Sequence, residues 1–80
     1  MEELLKSNDI VVGFRQVSRL VKEGKIKHVF IATDTDRFLK NKLTLLLNQN
    51  EVKYTLTYTK QQMGKIADIQ VDSAVIGILY

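Results

Sequence analysis

The stretch DIVVGFRQVSRLVKEGKIKHVFIATDTD, running from Asp9 to Asp36, decides the fold. Ile10–Val12 is a short apolar run, and it predicts a strand that ends at Gly13. From Phe14 to Glu23 the apolar residues recur with a helical period. Phe14, Val17, Leu20 and Val21 share one side, while Arg15, Gln16, Arg19, Lys22 and Glu23 share the other. Gly24 stands where helices commonly end, because a glycine accepts the left-handed turn that follows the last helical residue. Val29–Ala32, within the run HVFIA, is apolar without alternation, which predicts a strand covered on both faces. The TDTD segment then supplies Asp34 or Asp36 as a cap for the next helix.

The pattern extends in both directions. Met1–Ser7 predicts a short opening helix. Arg37–Gln49 predicts a longer one, with Leu39, Leu43, Leu46 and Leu47 as its buried stripe and Asn48–Asn50 as its stop. Val52–Tyr58 alternates, with Val52, Tyr54, Leu56 and Tyr58 set against Lys53, Thr55 and Thr57, as in a half-buried strand. Thr59 caps a short helix through about Ile66. Val71–Tyr80 closes the chain as an apolar strand in which Gly77 allows close approach of a helix. The order αβαβαβαβ, over 80 residues, predicts one α/β domain. Its sheet has four strands, mostly parallel or mixed, with helices on both faces. Ligands of such sheets meet the loops that follow the strands, here Gly13–Gln16, Thr33–Arg37 and Thr59–Ile69.

Composition narrows the function. There is no cysteine, so disulfides and thiolate metal sites are excluded. Met1–Lys6 carries Glu2 and Glu3, the wrong charge for an export signal, and Ala74–Tyr80 is far shorter than the ~20 apolar residues a membrane span needs. A soluble cytoplasmic protein is expected. The apolar side of Phe14–Glu23 is needed to cover the sheet, which argues against a membrane partner. The single histidine, His28, opens an apolar strand without a second His, and Ser7, Ser18 and Ser73 have no evident base. DTDRF resembles the start of a haloacid-dehalogenase phosphatase, but that pattern wants Thr or Val at Phe38 and further acidic loops, so capping by Asp36 is the better reading. Gly13 stands alone, outside any dinucleotide or phosphate-loop spacing. The reading is a non-enzymatic protein that needs no cofactor.

The charge of +3 is grouped: Arg15, Arg19, Lys22, Lys25 and Lys27 face only Glu23, and Arg37, Lys40 and Lys42 form a second cluster. Grouped cations favour a polyanionic partner. At Gly13 a second backbone can come close, and the helix that follows offers free N–H groups and a positive dipole end to a phosphate. Arg15 and Arg19 lie one turn apart with Gln16 beside them. Arginine forks pair with guanine edges, and a glutamine amide both donates to and accepts from a base.

GFRQVSRLVKEGKIKHVFIATDTD, a Leu-rich helix and VKYTLTYTKQQMGKIADIQVDSAVIGI, in that order, resemble the kink-turn-binding ribosomal protein family of the L-seven-Ae and L-thirty-e type. The resemblance runs from Asn8 to Leu79 and is nearest to the short bacterial members. It implies a three-layer α-β-α sandwich with a mixed four-stranded sheet. It also implies an RNA partner, a kink-turn with tandem sheared G·A pairs in ribosomal RNA or a riboswitch, bound by a protein that is monomeric when free. The family signature Gly-Ala-Asn-Glu-x-Thr-Lys stands here as Gly13-Phe14-Arg15-Gln16-Val17-Ser18-Arg19. By resemblance, Arg15, Gln16 and Arg19 face the guanines, Asp36 accepts a hydrogen bond from RNA, and Lys60 is the basic residue that starts the short helix. Asp68–Val71 is the loop that packs on an extruded base, with Ile69 as its apolar contact. Arg37 replaces a common Pro and adds a phosphate contact; Lys65 on the short helix completes the candidate set. Phe14 replaces the customary Ala, and Asp68 puts an acid where the family often has Gly. A second reading is a protein-interaction module on the same scaffold, as in stress-response relatives.

Overall fold

The computed structural model describes residues 2–6, 9–69 and 72–80. Its elements are α1 (Glu2–Leu5), β1 (Ile10–Val12), α2 (Phe14–Lys22), β2 (Ile26–Ile31), α3 (Arg37–Gln49), β3 (Lys53–Thr55), α4 (Lys60–Ile66) and β4 (Val75–Leu79). The alternating order matches the sequence reading. Met1, Ser7 and Val71, which that reading placed in the first helix and the last strand, lie outside the described residues.

The sheet order is β1-β4-β2-β3, with β4 antiparallel to both β1 and β2, and β3 parallel to β2. The sheet is therefore mixed, as the family resemblance implies, and the residue-based lean towards mostly parallel pairing is corrected. With 7 residues, α4 spans only about 10 Å. The 6 residues of β2 span about 20 Å. Helix α4 thus runs along only about half the length of β2, and β4 starts where β1 and β2 finish. Alternation also overextends β3: only Lys53, Tyr54 and Thr55 find partners, on His28, Val29 and Phe30 of β2.

Central strand β2 faces two cores. Val29 and Ile31 pack with Val17 and Val21 of α2 and Leu43 and Leu47 of α3. Phe30 packs on the other face with Leu5 of α1, Met63 of α4, and Ile76 and Ile78 of β4. The molecule is thus the three-layer α-β-α sandwich, and the unbroken apolar run at Val29–Ala32 reflects burial from both sides. A Cβ at Gly77 would lie 3.1 Å from Val11 Cγ1 and 3.2 Å from Val17 Cγ2, so this glycine does let α2 approach the sheet closely.

Helices α2, α3 and α4 end in the same way. A left-handed residue follows the cap, namely Gly24 (φ 74), Glu51 (φ 57) and Asp68 (φ 58). The next N–H, of Lys25, Val52 or Ile69, reaches back to Leu20, Leu47 or Gly64 respectively. Only α2 uses the glycine that makes such an ending legible in sequence.

His28 is structural. It is 7% exposed, its Nε2 lies 2.7 Å from Thr55 Oγ1, and its ring tilts against Phe30 at 5.0 Å. Burial, helped by the nearby Lys53 charge, holds its pKa below the ordinary 6.5. The folded chain therefore keeps the ring neutral while the unfolded chain protonates it. Stability from this group is full above pH 6.5 and falls on acidification from there towards the lower folded pKa. The expected slope in that window is at most about 1.4 kcal/mol per pH unit. Urea titrations across the window measure it, and His28→Gln should remove this component.

Candidate nucleic-acid interface

Strands β1, β2 and β3 finish at one end of the sheet, and antiparallel β4 begins there. Backbone bonds weld that end together. The Gly13 N–H donates to Val75 O at 3.0 Å, Ala32 to Ala74 O at 2.8 Å, and Thr33 to Tyr58 O at 2.9 Å. The loops expected to meet a ligand are thereby brought onto one surface.

Gly13 sits at φ 108, ψ 147, a conformation open essentially to glycine alone. Among the described residues nothing lies within 4 Å of where its Cβ would be. The glycine is thus required by its backbone angle, and the space over it is open. It precedes α2, where among the described residues no side chain caps the helix and no acid stands in the first turn. The first intrahelical bond is Val17 N–H to Gly13 O, so the amides ahead of Val17 have no helical acceptor. They form a positive terminus suited to phosphate. Arg15, Gln16 and Arg19 are all exposed on the next turns. The Arg19 side chain is 68% exposed, and its 3.9 Å contact with Glu23 is too long to immobilise it.

The two acids of TDTD have separate duties. Asp36 Oδ2 accepts the Leu39 N–H at 3.0 Å and caps α3. Asp34 Oδ1 accepts the Lys60 N–H at 2.9 Å, at the start of α4. Thr59 and Gln62 complete a capping box on α4. Sequence reading anticipated the caps of α3 and α4 by Asp36 and Thr59 but not the reach of Asp34, whose partner lies 26 residues away. A metal-phosphatase site would need both carboxylates turned to one ligand, whereas each is turned to a different helix. Among the described residues no group of three His, Asp or Glu side chains is placed to hold a metal.

The remaining candidates divide. Arg37 is exposed at the first position of α3, and Lys60 is half-buried at the first position of α4. Lys65 is exposed in the last turn of α4, about 8 Å along its axis from Lys60. Ile69 is half-buried and packs on the core that contains Phe30 and Met63, so part of its apolar surface is already used. Asp68 is exposed in its left-handed turn; Gln70 and Val71 of that loop lie outside the described residues. Two features were missed. Lys40 Nζ donates to Thr33 O at 3.0 Å and braces the loop. Phe38 is 73% exposed, and its place off the leucine stripe of α3 was the available signal.

Comparison with known proteins supplies the context. The model of the "Ribosomal protein L7Ae/L30e/S12e/Gadd45 family" matches residues 1–79. An RNA-binding protein of Geobacillus kaustophilus (strain HTA426) is 36% identical over 78 residues, covering 98% of this chain and 95% of that protein. RNA-binding protein YbxF of Geobacillus stearothermophilus is 35% identical over the same shares. Among solved structures, a Bacillus halodurans protein of unknown function superposes with a TM-score of 0.90 at 20% identity, over 99% of this chain and 83% of the other. The Giardia lamblia 15.5kD RNA-binding protein gives 0.86 at 24% identity, over 99% and 67%.

Proposed function

This chain belongs to the ribosomal protein L7Ae/L30e/S12e/Gadd45 family, and on that premise we propose that it is a cytoplasmic, non-enzymatic RNA-binding protein that recognises and stabilises a kink-turn. The observation that carries the reading is the Gly13 junction. An open glycine precedes an uncapped helix terminus, and Arg15, Gln16 and Arg19 project from the turns that follow. RNA backbone enters over Gly13, a phosphate meets the helix terminus, and the arginine forks read guanines of the sheared pairs. Arg37, Lys60 and Lys65 add phosphate contacts, and Asp36 and Ile69 complete the surface. The names of the Geobacillus relatives support an RNA partner.

The mechanism is population shift. A kinked duplex crowds its phosphates, so at low salt the extended form dominates; a protein that binds only the bent form makes that form dominant. End-to-end fluorescence transfer on a kink-turn RNA should report bending on titration with protein at modest salt. The same RNA with disrupted G·A pairs should bind at least about tenfold more weakly. Affinity should fall with salt at a log–log slope of about −0.7 to −0.9 per phosphate neutralised. Equal binding of both RNAs would remove the kink-turn and leave a non-specific RNA binder.

A further inference from the structure

We propose that Phe38, beside the Lys42 edge of the groove between α2 and α3, stacks the base of an unpaired nucleotide flanking the bound RNA helix, whose phosphate meets Lys42 and Lys22 at that groove. The inference rests on the RNA reading above and assigns it an additional contact. Phe38 is 73% exposed in the first turn of α3, next to Arg37. Lys42 Nζ lies 5.9 Å from the ring centroids of both Phe38 and Phe14. One ammonium therefore joins the exposed ring to a groove of about 340 Å³ lined by Phe14, Lys22, Lys42, Leu45 and Gln49 among others, with no carboxylate among the described residues of its lining. A flat apolar ring beside cations suits a base and its phosphate, since every base offers a π-face and carries an anion.

Position gives the second argument. Consecutive helical residues are rotated by about 100°. Arg15 therefore stands one step round α2 from Phe14, and Lys22 falls between Ser18 and Arg19 on the same side. RNA that engages Arg15 has its flank over Phe14, at the mouth of the groove. A protein segment is the competing occupant; it would use Leu45, which is 60% exposed further along α3, as fully as Phe38.

Fluorescence anisotropy with two forms of one kink-turn RNA separates these occupants. One form is blunt, and the other carries a short single-stranded extension at each of its ends in turn. Wild type should bind one extended form about five- to hundredfold more tightly than the blunt form. Phe38→Ala should lose that gain and leave blunt binding unchanged, Phe38→Tyr should keep it, and Leu45→Ala should lose much less of it than Phe38→Ala. Both aromatic and leucine side chains are exposed, so the variants should fold. A Phe38→Ala protein that retains the full gain overturns the proposal. So does Leu45→Ala losing as much as Phe38→Ala, which would mark an apolar docking face for protein. Wild type failing to bind the blunt form overturns the kink-turn reading itself.

Discussion

Replacing Gly13 with valine is expected to lower both stability and RNA affinity. At φ 108, ψ 147 a β-branched residue is strained by about 1–3 kcal/mol. The new Cβ itself meets no described atom within 4 Å. For a domain of this size, whose stability is about 4–12 kcal/mol, the loss is substantial but leaves a folded protein at low temperature. The second effect is local: the new side chain fills the open space that the proposed function gives to RNA backbone. Gly24→Val is the control. Gly24 also has a positive φ, 74, with nothing within 4 Å among the described residues, but it follows α2 at the other end of the helix. It should cost comparable stability in urea titrations while leaving RNA affinity within about twofold. Gly13→Val binding RNA as tightly as Gly24→Val would remove the glycine from the interface.

Arg15→Ala and Arg19→Ala should each weaken binding by about 1–3 kcal/mol, roughly five- to 150-fold, with little change in folding. Both side chains are exposed, and the long Arg19–Glu23 contact contributes little stability, so lost affinity is not confounded by unfolding. Arg19→Lys should fail to restore binding, because an ammonium lacks the fork that pairs with two acceptors on one guanine. Lys25→Ala should change little: Lys25 lies past the end of α2 and its Nζ is 3.2 Å from Glu23. Equal losses from all three positions would indicate a diffuse basic patch in place of base reading.

The legible parts of the fold were those written in local chemistry. Asp36 and Thr59 announce the starts of α3 and α4 because a cap acts within three residues, and both caps are made as read. The run at Val29–Ala32 announced a strand covered on both faces for the same reason of proximity to its own pattern. What escaped depends on where distant segments meet. Alternation at Val52–Tyr58 does not reveal that only Lys53–Thr55 finds a neighbouring strand. Nor does it reveal that β4 inserts antiparallel between β1 and β2. The left-handed ends at Glu51 and Asp68 carry side chains that disguise them; for the second, the family resemblance implied a frequent glycine.

The candidate site divides along the same line. Arg15, Gln16 and Arg19 were readable because a helical period sorts them onto one side. The Asp34 contact was not, since it spans 26 residues. Phe38 was readable in principle, as a residue off the leucine stripe, but exposure of a lone aromatic becomes informative only once Lys42 and Phe14 are placed beside it.

The division of labour between Asp34 and Asp36 has a consequence for where main-chain N–H groups are left for a polyanion. Helices α3 and α4 each begin against a carboxylate that takes up one of their first N–H groups, so phosphate at those ends depends on the side chains of Arg37 and Lys60. Of α2, α3 and α4, only α2 begins bare. In the proposed function, the start of α2 therefore anchors a phosphate through the main chain, independently of which side chains then meet the bases.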